Sequence, residues 1–365
     1  MTVTEIEINV SPTGEVTTRR DDGAVGPAGS IGFRGVDAEL IRVFERWLRE
    51  RGREWRRPEI RAFGSLLHRT LFPQDLWSWV EQRLNTLGPQ DRLRLQLVFP
   101  GEGLAQLAAV PWEYLYVPTR AGRNGFFLAT DRRCMLTRYI PMETGRAAMA
   151  PARRVRLLVL VAQPDDLGEV VAEPVLATLG DLAERLPLDV TVCRQPTRGS
   201  LADTVAKVRP ELIHFIGHGR YDEDAEQGRV AFVDETGHSD WVGEAVLAQL
   251  LAEAEELPRL VFLHSCAGAQ ADYGASFAGI APRLIRRGVQ CVVAMQYAVT
   301  NRTAIAFSKG FYTGLAAGLP LDEAVQSGRR SLEVLYETDA RLPGIPVIYL
   351  YSRDAVLLPA ASSEG

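Results

Sequence analysis

Apolar and polar positions follow two different rhythms along this chain, and the rhythm changes after about residue 140. In the first part, residues 4–9 and 14–19 alternate with period two around Ser11-Pro12-Thr13-Gly14, which predicts a β-hairpin. Gly23, Gly26, Pro27, Gly29, Gly32 and Gly35 predict a loop over 21–35. Leu40, Val43, Phe44, Trp47 and Leu48 recur at helical spacing, so a helix is expected from a cap at Asp37 to about Arg51. More helix is expected at 60–70 and 74–86. Leu93, Leu95, Leu97 and Phe99 alternate as a strand. VPWEYLYVP, 110–118, is a dense aromatic cluster without basic interleaving, so it reads as core rather than a base-stacking platform. Short strands are expected at 126–128 and 135–140.

Residues 141–153 are small, polar and proline-containing, and the main internal boundary is placed there. Beyond it, short continuous apolar runs alternate with helical stretches. Strands are expected at 155–162, 188–194, 212–216, 260–263, 289–296 and 345–351. Helices are expected at 169–186, from a Ser200 cap to Lys207, around Val246–Leu251, from a Ser276 cap to Arg287, at 301–317 and at 321–336. An acidic loop (Asp222, Glu223, Asp224, Glu226) precedes a hairpin that turns at Asp234-Glu235-Thr236-Gly237. This alternation predicts an α/β fold, a mostly parallel sheet flanked by helices. We therefore expect an N-terminal α+β supporting half over 1–145, a catalytic half over 150–358 and a disordered tail over 359–365.

Composition narrows the function classes. The chain has 365 residues, 46% hydrophobic and 24% charged, with a net charge of -5. That balance advertises neither nucleic acid nor membrane as a partner. No run reaches the ~20 apolar residues of a membrane helix. The start, MTVTEIEINV, lacks the basic and apolar regions of a leader, so a cytoplasmic protein is expected. Cys134, Cys193, Cys266 and Cys291 show no paired spacing, which fits a reducing compartment. No P-loop and no G-x-G-x-x-G after a strand is present, and no cofactor is called for.

Two stretches carry chemistry. HFIGHG, 214–219, ends one apolar run, and HSCAGA, 264–269, ends another. Neighbouring parallel strands lie ~4.7–4.9 Å apart and share their carboxyl edge, where open α/β sheets place their sites. His218 and Cys266 can meet there as base and thiol nucleophile, which predicts a cysteine peptidase dyad. Gly217 and Gly219 allow close approach to His218, and the backbone N–H groups of Gly219 and Cys266 are candidates for an oxyanion hole. His214 and His264 fall inside their strands and read as core. Strand rise puts His214 and His218 roughly 13 Å apart, so no metal site is assigned. Cys193 and Cys291 read as buried small hydrophobes.

With PWEYLY (111–116), FFLA (126–129), SDWVGEAVLAQLL (239–251), AMQYAV (294–299), FYTGLAAGLPLDEAV (311–325) and PVIYL (346–350) beside those two stretches, the sequence resembles the CHAT domain, a bacterial caspase-like family related to separase. The resemblance covers most of the chain. It implies a caspase-like cysteine endopeptidase with His218 and Cys266 as dyad and an N-terminal half that buttresses the protease half. It implies a role in bacterial conflict or antiviral defence, with an activating sensor chain and a protein substrate, such as a gasdermin-like pore-former. Relatives that cut after basic residues carry acids in the segment that here reads Tyr297-Ala298-Val299-Thr300-Asn301. With Tyr297 and Asn301 expected to line the substrate cleft and no carboxylate among them, a neutral P1 residue is expected. Asp222, from the acidic loop, is the remaining candidate to contact substrate. Two alternatives stand beside the endopeptidase: a silent adaptor that binds a peptide in the same cleft, and a protease that processes only itself.

Overall fold

The structure is a computed structural model that describes residues 2–50, 53–100, 104–118, 124–142, 149, 151–222, 227–265, 273–297, 299–335, 339–352 and 355–359. Of the expected 359–365 tail, all but residue 359 lies outside them. The chain divides into two compact units, one of residues 1–141 and 332–345, the other of residues 142–331 and 346–365.

The first unit begins with the expected hairpin, β1 (Val3–Val10) and β2 (Glu15–Arg20). Gly14 takes a φ of 82° at its turn, a conformation that costs glycine no Cβ clash. With β3 (Gly29–Ser30), β4 (Arg92–Val98) and β7 (Cys134–Tyr139) these strands form a sheet in the order β3-β2-β1-β4-β7, in which β1, β4 and β7 run parallel. Helices α1 (Gly35–Arg49), α2 (Arg57–Leu71), α3 (Gln74–Asn85) and the short α4 (Ala105–Ala109) join them, and β5 (Tyr116–Val117) pairs with β6 (Phe126–Phe127). The aromatic cluster is core: Trp112 and Tyr114 are fully buried. Two charged pairs are buried as well. Arg94 meets Glu5 at 2.6 Å. Arg138 grips Glu113 at 2.6 and 3.0 Å and also donates to the Val110 and Ala108 carbonyls.

Helix α1 departs from expectation in two ways. Asp37 does not cap it; Arg34, three residues earlier, holds the cap position, and the Asp37 carboxylate accepts from Arg69 at 2.7 Å. Its buried stripe is Ala38, Ile41 and Leu48, whereas Leu40 is exposed. The helix is rotated so that Phe44 stacks on Phe63 of α2, with ring centroids 4.9 Å apart.

The second unit contains β8 (Val155–Val161), α5 (Glu173–Ala183), β9 (Leu188–Arg194), α6 (Arg198–Val208) and β10 (Leu212–Gly217). There follow β11 (Gly219–Asp222), β12 (Gln227–Val233), β13 (Ser239–Gly243), α7 (Glu244–Leu251), β14 (Leu260–Ser265) and α8 (Tyr273–Arg286). It ends with β15 (Cys291–Met295), α9 (Asn301–Ala316), α10 (Leu321–Glu333) and β16 (Pro346–Leu350). Its sheet runs β16-β15-β14-β10-β8-β9, parallel throughout except for β16. Strands β10 and β15 are buried along their whole length, as continuous apolar runs in a two-faced parallel sheet must be. Helices α5 and α9 pack together, and α7 packs on both α6 and α8. The expected mostly parallel sheet flanked by helices is the fold of this unit.

Four local expectations need correcting. Helix α8 begins at Tyr273, so Ser276 is its fourth residue rather than its cap. Thr197, not Ser200, caps α6; the two side chains form a reciprocal box, and Ser200 sits at the third helical position. Tyr221 and Asp222 are strand rather than loop, because β11 pairs with β12; residues 223–226 lie outside the described residues. Cys193 is only half-buried, since β9 is the edge of the sheet and only Leu188 along it is fully buried.

Candidate active site

The carboxyl ends of β8, β10, β14 and β15 share one edge of the second unit's sheet. His218 stands there, between β10 and β11, with its imidazole buried. Glycine precedes it for a steric reason. A Cβ at Gly217 would lie 2.7 Å from the Phe215 ring and 3.1 Å from the Ala162 carbonyl oxygen. Phe215 in turn packs edge-on against Phe232 of β12, so the ring has little room to yield.

The loop between β8 and α5 brings the Gly168 carbonyl oxygen 2.8 Å from His218 Nε2. A carbonyl only accepts, so Nε2 carries the proton and donates it. In the neutral imidazole Nδ1 is therefore the basic nitrogen. Burial pushes His218 below the usual histidine range, while the Gly168 hydrogen bond and the charge of Asp166 pull it back up. A neutral imidazole at pH 7, held in one tautomer, is suited to accept a proton.

Of the other expected site residues, Gly219 opens β11 opposite Val230 of β12. Asp222 closes the same strand and is ion-paired with Arg229 at 2.9 Å. Tyr297 follows β15 and is buried. Asn301 is the first residue of α9, whose cap is Thr300, accepting from the Thr303 N–H. His218 and Gly219 are thus adjacent, and Tyr297 lies at the same edge two strands over, in the order β10-β14-β15. Cys266 lies outside the described residues; β14 is described up to Ser265, whose Cα partner on β10 is Gly217.

Beneath this edge lies a polar chain in the core. Tyr312 Oη of α9 is 3.0 Å from His214 Nδ1, and His214 Nε2 is 3.3 Å from His264 Nδ1. All three side chains are fully buried, and His264 Nε2 has no hydrogen-bond partner among the described residues. Burial holds both imidazoles neutral, His264 at about 4 and His214 well below its ordinary value. The reading of both as core histidines holds, but their contact with each other and with Tyr312 was not foreseen. Neither was Gly168, since a backbone carbonyl leaves no mark on the sequence.

Among solved structures, separase from Saccharomyces cerevisiae, crystallised with securin, matches with a TM-score of 0.50 at 11% identity. The match covers 96% of this chain, which spans 30% of that separase chain. The Arg-specific cysteine proteinase gingipain R of Porphyromonas gingivalis matches over 88% of this chain and 76% of its own, at 12% identity and a TM-score of 0.48. The Drosophila initiator caspase Dronc matches over 47% and 68%, at 13% identity and a TM-score of 0.31. No curated protein matches the chain. At such identities the separase likeness concerns the fold, which is caspase-like. The model of the CHAT domain matches residues 61–340, well over half of the sequence, and the chain belongs to the CHAT-domain family.

Proposed function

We propose that the chain is a cysteine endopeptidase whose dyad is His218 and Cys266. The observation that carries this reading is the register of β10 and β14. Their last described partners are Gly217 and Ser265, and the residues that follow these in sequence are His218 and Cys266 respectively. Parallel neighbours are ~4.8 Å apart, within reach of an imidazole and a thiol. His218 Nδ1 takes the Cys266 proton, and the thiolate attacks the scissile carbonyl carbon. The N–H groups of Gly219 and Cys266 stabilise the oxyanion. The imidazolium returns its proton to the leaving amine as the C–N bond breaks, leaving a thioester. Water, deprotonated by the same imidazole, then hydrolyses the thioester and restores the thiol.

Substrate preference follows from the charges near the edge. Residues 297–301 carry no carboxylate, and Asp222 is neutralised by Arg229. A buried P1 arginine or lysine would lack a partner. The preferred P1 residue is neutral, with Tyr297 and Asn301 lining its pocket. In this reading the substrate is a protein, such as a gasdermin-like pore-former, cut in a bacterial defence response when a sensor chain binds. Separase, crystallised in complex with securin, is a precedent for a protein of this fold binding a second protein. In this reading residues 1–145 support a catalytic half of residues 150–358.

A peptide library tests the proposal. The wild-type chain cleaves after neutral residues, and His218→Ala and Cys266→Ala each abolish cleavage while remaining folded. Full cleavage by either variant sinks the dyad. Dominant cleavage after Arg or Lys sinks the specificity, and a folded wild type that binds peptides without cutting them is the adaptor instead.

A further inference from the structure

The Gly168 carbonyl orients His218, yet it belongs to a loop, and a loop carbonyl orients nothing unless the loop is held. The structure shows what holds it. The Asp166 carboxylate accepts two hydrogen bonds from Ser239, at 2.7 Å from its N–H and 2.7 Å from its hydroxyl. Next to it, the Asp165 N–H donates to the Gly237 carbonyl at 2.9 Å. These three bonds fasten residues 165–166 to the turn between β12 and β13. The turn itself is braced: Asp234 Oδ1 accepts from the Thr236 N–H and hydroxyl at 2.7 Å each and from the His238 N–H at 3.0 Å. Strand β12 closes the circuit, because the Ala231 N–H donates to the His218 carbonyl at 3.0 Å. His218 is thus gripped by its backbone from β12 and by its ring from a loop that the same hairpin anchors.

We propose that Asp166, through its two bonds to Ser239, is a positioning residue for His218. It supplies indirectly what a carboxylate on the imidazole supplies in a Ser-His-Asp triad, a fixed tautomer and orientation. Both ends of the clamp are short polar groups with little cost in rotamer freedom, and a carboxylate accepting two bonds is stronger than a neutral pair. The charge of Asp166 also acts on the imidazole in the favourable direction, holding it up against burial. Asp166 and Ser239 are not buried core residues, so neither is required for packing.

This inference rests on the dyad reading, and one experiment separates the two. The full-length chain is alkylated with iodoacetamide at a series of pH values, and the rate at Cys266 is read by peptide mass spectrometry. Wild type, His218→Ala, Asp166→Ala, Asp166→Asn and Ser239→Ala are compared, with thermal unfolding as the control for folding. Loss of a charge-assisted hydrogen-bonded clamp corresponds to a roughly ten- to hundredfold slower rate near pH 7 for Asp166→Ala. Its half-maximal pH moves up towards the ordinary thiol value of ~8.5. Asp166→Asn, whose amide oxygen still accepts from the Ser239 N–H while its NH2 donates to the Ser239 hydroxyl, restores most of the rate, and Ser239→Ala lies between. If Asp166→Ala proves unfolded, Ser239→Ala, which deletes one hydroxyl, carries the test. A pH profile of the folded clamp variants that matches wild type, while His218→Ala differs, overturns the clamp and leaves the dyad. An Asp166→Asn as slow as Asp166→Ala overturns positioning in favour of charge alone. A His218→Ala profile identical to wild type overturns the dyad and the clamp together.

Discussion

Replacing His264 by Asn should flatten the acid dependence of this protein's stability. His264 is fully buried, with Nδ1 3.3 Å from His214 Nε2 and Nε2 lacking a partner among the described residues. Burial holds its ring at about 4, whereas in the unfolded chain it titrates near ~6.5. The folded pKa is depressed, so the unfolded chain binds the extra proton. Stability from this group is complete above ~6.5, falls as the pH drops towards ~4, and then levels off. From pH 7 to pH 5 His264 alone removes about 2 kcal/mol, the free energy of a proton taken up by one state only. His214 acts in the same direction, since burial and then the neighbouring His264 keep it neutral. Asparagine places an amide where Nδ1 stood, keeps a partner for His214 and cannot titrate. Urea unfolding followed by circular dichroism at pH 7, 6 and 5 measures the effect. The expected result is a difference of about 2 kcal/mol between wild type and His264→Asn in the stability lost over that range. Equal slopes would refute the claim that His264 is buried and neutral.

Three further outcomes are expected. Arg138→Met leaves the Glu113 carboxylate buried without its cation and should cost about 3–5 kcal/mol in urea unfolding; a loss below ~1 kcal/mol would mean that water reaches the pair. Thr197→Ala removes the cap of α6 and should cost about 1 kcal/mol, whereas Asp37→Ala loses only an exposed ion pair and should cost less than ~0.5 kcal/mol; the reverse order would restore Asp37 as a cap. Burial pushes the Cys134 and Cys291 thiols up, with Asp131 and Asp322 respectively adding to it, so iodoacetamide should modify them only after unfolding, and native labelling of Cys291 would contradict a continuous buried β15.

The parts of this account legible in the sequence are those that local chemistry determines. The apolar runs at HFIGHG and HSCAGA read as buried strands, and the glycines at 217 and 219 marked His218 as a place where the backbone is crowded. What stayed hidden depends on pairing between distant segments. Tyr221 and Asp222 begin an acidic stretch just after the two glycines around His218, which reads as a loop, yet β12 recruits them into a strand. Asp37 has the chemistry of a cap, but Arg69, distant in sequence, claims its carboxylate. Thr197 and Ser200 are both competent caps, and only the helix start distinguishes them. His214, His264 and Tyr312 meet because β10 and β14 share one register and α9 crosses their face. Gly168 and Asp166 lie in a stretch, QPDDLGEV, whose composition says only that it turns.

The central claim, that His218 and Cys266 act as one catalytic pair, is tested most directly by covalent trapping. A peptidyl acyloxymethyl ketone with a neutral P1 residue is incubated with the full-length chain, and the adduct is located by intact and peptide mass. The account predicts one adduct per chain, on the Cys266 sulfur, formed by wild type and lost in a folded His218→Ala variant. Equal trapping by that variant, or an adduct on another cysteine, would contradict it.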